Sequence, residues 1–201
     1  NIEYVVNTAP QIVLNSPTDG DTYQEGDSVS FSAVFSDAED PASQLTTLWE
    51  SDIDGVLSQA TPDSTGSVSF SKTNLTNGTH AVSITATDTD GLFTVKNIQL
   101  TINGAPTQPN VTITPDPANT SSTLSANATG SVDPDGQTVT YTYEWLKDGV
   151  TTAQTGQTVV SSLTAKGDVW TVRATPTDGS ATGPYGEASI TIANTEPTVS
   201  N

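Results

Sequence analysis

One four-residue phrase recurs three times in this chain: Asn7-Thr8-Ala9-Pro10, Asn103-Gly104-Ala105-Pro106 and Asn194-Thr195-Glu196-Pro197. Each closes a short alternating run of β character, at residues 2–6, 98–102 and 190–192. The phrases lie roughly ninety residues apart, the length of a small domain. Strand followed by proline linker at that period reads as a string of similar β-domains. The first phrase comes too early to close a domain of its own. Residues 1–7 therefore read as a terminal strand that belongs to, or completes, a neighbouring domain. Residues 8–103 and 104–195 read as two domains, and 196–201 as the linker to a next unit.

Composition narrows the partners. With 201 residues the chain suffices for two ordinary domains, and a 33% hydrophobic content suits sandwiches with thin cores. Five basic residues stand against 23 acidic ones, a net charge of −18. Nucleic acids and anionic membranes need a basic patch, so both are excluded as partners. Cysteine is absent, which removes disulfides and thiolate metal sites. No apolar run approaches membrane-spanning length, so direct membrane insertion is not expected.

Turn signals cut the chain into short strands. In the first domain Val29, Phe31, Ala33 and Phe35 alternate with polar residues, the period of a half-buried strand. Further strands are expected at 11–15, 45–50 with Trp49, 68–70, 80–86 and 92–102. The second domain repeats the plan at 111–114, 124–128, 139–146 with Trp145, 159–163, 169–174 and 188–192. No stretch of ten or more residues has helical periodicity. About seven strands per domain at this pitch predict a Greek-key sandwich.

Specific motifs carry a resemblance. In the first domain they are Ser36-Asp37-Ala38-Glu39-Asp40, Trp49-Glu50-Ser51-Asp52-Ile53-Asp54-Gly55, and Gly78-Thr79-His80 leading to Asp88-Thr89-Asp90-Gly91. In the second they are Asp133-Pro134-Asp135-Gly136, Tyr143-Glu144-Trp145 and Trp170-Thr171-Val172-Arg173. These resemble the PKD-type and bacterial immunoglobulin-like (cadherin-like) tandem repeats of surface proteins. The resemblance implies an all-β fold of two tandem immunoglobulin-like Greek-key β-sandwich domains, head to tail. It places Ala126 and Val172 where an immunoglobulin domain has its cysteines, about Trp145, and Trp170 where the family has a corner tyrosine.

On that scaffold the acidic loops gather at fixed poles. Asp37, Glu39, Asp40, Asp88 and Asp90 converge where the first domain begins, and Asp133, Asp135 and Asp178 do so in the second. Asp52 and Asp54 point toward the junction near Asn103. Crowded carboxylates favour a hard cation with oxygen ligands, which makes Ca²⁺ the candidate cofactor. The competing reading is that Asp, Gly and Pro simply form turns.

Other residues point away from catalysis. His80 is the sole histidine and is expected to be packed or capped, which leaves no Ser-His-Asp or Cys-His triad. Tyr141 and Tyr143 either form a solvent-facing strip for sugar stacking or lean on the sandwich. Asn-x-Ser/Thr sequons begin at Asn74, Asn77, Asn110, Asn119 and Asn127. The early strand, with Ile2, Tyr4 and Val6 on one face, is either a stub of a preceding domain or a donated strand. The function expected is a non-catalytic extracellular repeat of a microbial surface fibre, filament or adhesin. Its partners are neighbouring copies or repeats, head to tail. The alternative is a carbohydrate- or protein-binding accessory module of a secreted enzyme.

Overall fold

The computed structural model describes residues 6–195. The chain divides into two compact units, Asn1–Gly104 and Ala105–Asn201. The first contains β1 (Gln11–Ser16), β2 (Asp21–Gln24), β3 (Val29–Ser36), β4 (Thr46–Ser51), β5 (Gly55–Ser58), β6 (Ser67–Lys72), β7 (Gly78–Thr87) and β8 (Phe93–Asn103). One sheet has the order β1-β3-β6 and the other β2-β8-β7-β4-β5. The second unit contains β9 (Asn110–Thr114), β10 (Ala118–Asn119), β11 (Leu124–Thr129), β12 (Thr140–Lys147), β13 (Val150–Thr151), β14 (Thr158–Val159), β15 (Val169–Thr177) and β16 (Gly186–Ala193). Its sheets are β14-β11-β9 and β10-β16-β15-β12-β13. Each unit is an immunoglobulin-like β-sandwich, and the two share one topology.

Alternation explains the first core. Val29, Phe31, Ala33 and Phe35 on β3 are each at most 1% exposed. They face Trp49 on β4, which is fully buried and meets Phe31, Phe35 and Phe70 edge to face. Burying one such ring contributes roughly 1.5–3 kcal/mol. Trp49 stands directly opposite Ile84 of β7. In the second unit Trp145 stands opposite Val172, with Ala126 also fully buried. Apolar packing therefore occupies the positions the resemblance assigns to cysteines. Trp170 is buried edge to face against Trp145. Tyr143 packs against this core, so it leans on the sandwich and forms no exposed strip.

Three details depart from the sequence expectation. β2 runs parallel to β8, and β10 runs parallel to β16. Neither was legible, because Asp21-Thr22-Tyr23-Gln24 is polar and β10 has only two residues. The strand expected at 159–163 is a correction. It stops at Val159, and Ser161–Leu163 turns as a 3-10 helix closed by Leu163 N–H to Val160 O. Only Val159 of that run reaches the core, and Leu163 is exposed.

Candidate functional site

The incoming pole of the first unit is built from two loops and the segment that enters it. Asp37 follows β3 and turns the β3–β4 loop, its Oδ1 accepting the Glu39 and Asp40 N–H groups, both at 2.9 Å. Asp88 does the same for the β7–β8 loop, accepting from the N–H groups of Asp90 (2.9 Å) and Leu92 (2.8 Å). The two loops are cross-linked where Thr89 donates its N–H and hydroxyl to the Asp40 carboxylate. The Asn7-Thr8 pair is held by the same acids. Asn7 donates its amide to Asp88 Oδ2 at 2.9 Å, and Thr8 donates N–H (3.1 Å) and hydroxyl (2.8 Å) to Glu39 Oε2.

These contacts set the charge at the pole. Burial raises the Asp88 pKa, but the bonds from Asn7, Leu92 and Asp90 outweigh it and hold the carboxyl below the ordinary range. Asp90 is exposed.

The second unit clamps its incoming segment by other means. Thr107 N–H donates to Val132 O, and Val132 N–H returns to the Thr107 hydroxyl. Gln108 donates to Tyr185 O at 2.8 Å. A Cβ on Gly183 would lie 1.8 Å from Pro106 O, and one on Gly186 would lie 2.2 Å from Pro109 O. Both positions therefore require glycine where the backbone passes. Asp133 Oδ1 accepts from Asp135 and Gln137, and Asp178 Oδ1 from Ser180 and Ala181.

The carboxylates of Asp37, Glu39, Asp40, Asp88, Asp133 and Asp178 are thus employed in turning and tying loops. Among the described residues no three His, Asp or Glu side chains are disposed to hold a metal ion. Asp37 Oδ2 and Asp133 Oδ2, at matching positions in the two units, are buried without a hydrogen-bond partner among the described residues.

At the opposite end of the first unit, His80 is fully buried. Its Nε2 lies 2.7 Å from Thr76 O, a group that can only accept, so Nε2 carries the proton. Nδ1 then accepts the Ser51 hydroxyl at 2.7 Å. Ser51 Oγ in turn accepts the N–H groups of Ile53 and Asp54, both at 3.2 Å. Asp54 Oδ2 stands 3.8 Å from the same Nδ1 and accepts Thr76 N–H, while Asp54 Oδ1 accepts the Thr76 hydroxyl. Asp52 Oδ1 accepts Ala81 N–H. The turn lies beside the end of β8, since Gly78 pairs with Ile102. Ser51, His80 and Asp54 are a triad in composition alone. Serine and aspartate share one ring nitrogen, and no solvent reaches it.

The remaining sequence candidates are scattered. Asn74, Asn110 and Asn127 are exposed, whereas Asn77 and Asn119 are half-buried. Asn119 is committed to Ser121 and Ser122. Val6 is 77% exposed, and Ile2 and Tyr4 lie outside the described residues. Sequence reasoning missed the roles of Asn7, Thr8 and Ser51. The repeated Asn-x-x-Pro phrase was the available signal for the first two.

The fold and its poles define a tandem of immunoglobulin-like domains. A family model described as a bacterial Ig domain matches residues 10–84. No curated protein matches the chain. Solved structures similar to it include the fibronectin(III)-like modules of Clostridium thermocellum CbhA, 17% identical, covering 95% of this chain and 100% of that one, TM-score 0.39. An I-band fragment of titin is 9% identical over 93% of this chain and 66% of that one, TM-score 0.45. The human desmocollin-1 ectodomain is 14% identical over 98% and 38%, TM-score 0.40.

Proposed function

We propose that this chain is a non-catalytic segment of an extracellular microbial surface fibre or adhesin, of the PKD-type or cadherin-like kind. It acts as a spacer in which domains continue head to tail. One observation carries the reading. Each unit grips the segment that enters it, through Asp88 and Glu39 in the first and through Thr107 and Gln108 in the second. A gripped linker resists bending and pulling, which a spacer needs and an enzyme does not. The buried, fully bonded His80 supports a non-catalytic role. Among the described residues no helix is long and apolar enough to cross a membrane.

Calcium is proposed at the acidic poles only as a stabiliser, and no part of the spacer role runs through it. Calcium should raise the melting temperature and EDTA lower it, and equal melting would remove the ion from the account. The main test is immunogold labelling of intact source cells with antibody to this chain. Label along surface fibres is expected, and label confined to the cell interior would overturn the proposal.

A further inference from the structure

The outer face of the larger sheet in the first unit carries two adjacent rows of neutral side chains. Register places Thr46, Thr87 and Phe93 in one row across β4, β7 and β8, and Leu48, Thr85 and Val95 in the next. Side chains directly opposite on paired strands share a face. The segment after β5, carrying Gln59 and Thr61, forms a wall beside β4. Together Thr46, Leu48, Gln59, Thr61, Thr85 and Thr87 line a shallow cavity of about 400 Å³. Beyond Thr87 the Phe93 ring is 63% exposed, and beyond Thr85 Val95 is 44% exposed.

Several threonine hydroxyls of this unit are spent internally, Thr76 on Asp54, Thr89 on Asp40, Thr65 on Asp63 and Thr79 with Thr101, and in the cavity lining Thr47 is spent on Ala60 O. Thr46, Gln59, Thr61, Thr85 and Thr87 make no side-chain hydrogen bond to another described residue. Five neutral donor-acceptor groups thus surround an apolar floor at Leu48, with an aromatic ring on the same face.

We infer that this face is a binding site for a neutral glycan. Sugars offer hydroxyls in both hydrogen-bonding senses and apolar C–H faces that pack on aliphatic and aromatic carbon, which matches this lining. An extended peptide matches it poorly. The β4 backbone is paired on both edges, by β5 and β7, so a peptide could not add as a strand. The wall is also satisfied, since Thr47 donates to Ala60 O and Ala60 N–H to Ser58. None of the 23 acids lines the cavity, although the chain carries −18, so anionic polymers are repelled at a distance and neutral ones are not. The same charge opposes a second copy settling there.

The test titrates the full chain with cellohexaose, xylohexaose, maltohexaose and chitohexaose, with polygalacturonate as the anionic comparison, followed by ¹H-¹⁵N NMR. At least one neutral hexaose should saturably shift the amides of Thr46, Leu48, Thr85 and Thr87. Thr85→Val keeps side-chain shape and Phe93→Ala alters an exposed ring, so both should melt as the parent does. Each should weaken binding by about tenfold. The inference is overturned if no neutral hexaose moves those amides, if polygalacturonate binds there as well, or if both variants bind unchanged. A concentration-dependent dimer in sedimentation that shifts the same amides without sugar would also overturn it, giving the face to a second copy.

Discussion

The indole N–H of Trp145 donates to Gly156 O at 2.9 Å, closing the segment after β13 over the core ring. Its counterpart in the first unit, Trp49, is equally buried, yet its indole N–H finds no acceptor among the described residues. The two rings play the same packing role with different polar accounts. Trp145→Phe loses a hydrogen bond worth about 1 kcal/mol as well as ring volume. Trp49→Phe loses volume but also removes a buried, unbonded donor. Trp145→Phe should therefore destabilise its unit by about 1 kcal/mol more than Trp49→Phe destabilises the other. Urea unfolding followed through the amides of Val172 and Ile84 separates the two units.

Ser51 is the hub of the buried histidine network, donating to His80 and accepting two backbone N–H groups. Ser51→Ala leaves an imidazole nitrogen and two N–H groups without partners inside the fold. The expected cost is about 3 kcal/mol. Thr76→Val removes only an exposed hydroxyl bond to Asp54 and should cost about 1 kcal/mol or less. Equal losses for the two variants in thermal unfolding would show that Ser51 is not the hub.

The difference between those residues also marks what the sequence could reveal. The β3 alternation announced the sandwich, because a period of two leaves one face apolar, and Trp49 and Trp145 fell at its centre as expected. β2 and β10 were hidden because an edge strand held by backbone pairing needs no apolar pattern. Asp-rich loops were visible as loops, but nothing in Asp-x-Asp-Gly states which partner each oxygen takes. Asp88 reaches Asn7 across 81 positions, and only the folded topology brings them together. The threonine face was illegible for a related reason. A threonine bonded internally and one left open look alike in sequence.

Gly66 tests how tightly the β3–β6 pair is built. It adopts φ +84°, and a Cβ there would lie 2.1 Å from Phe35 O. Its carbonyl also accepts Phe35 N–H at 2.8 Å, so the backbone cannot withdraw without losing that bond. The turn is further fixed by Asp63, whose Oδ1 accepts from Thr65 and Ser67. Gly66→Ala combines a left-handed backbone with a clash, and should cost about 3 kcal/mol. Gly91, at φ +92° with open space around it, should lose only about 1 kcal/mol on the same change. Comparable melting shifts for the two would show that the strand pair yields.

Acid sensitivity should report the grip on the incoming segment directly. Burial raises the Asp88 pKa, and the bonds from Asn7, Leu92 and Asp90 more than reverse it, so the folded value is depressed. A carboxyl with a depressed folded pKa adds stability above the unfolded value, about 3.9, and loses it as pH falls through the folded value. Asp63 and Asp168 are also depressed, first through bonds from Thr65 and from Lys147, the latter at 2.7 Å. The chain should therefore hold its stability down to about pH 4 and lose it below. Asn7→Ala removes the first of the bonds that lower Asp88, so the Asp88 carboxyl should titrate at higher pH in the variant, while Asp63 and Asp168 stay where they were. Carboxyl ¹³C NMR titration resolves the three groups. An Asp88 titration unmoved by Asn7→Ala would mean that the linker is not held by this acid, and the mechanical reading of the first unit would lose its support.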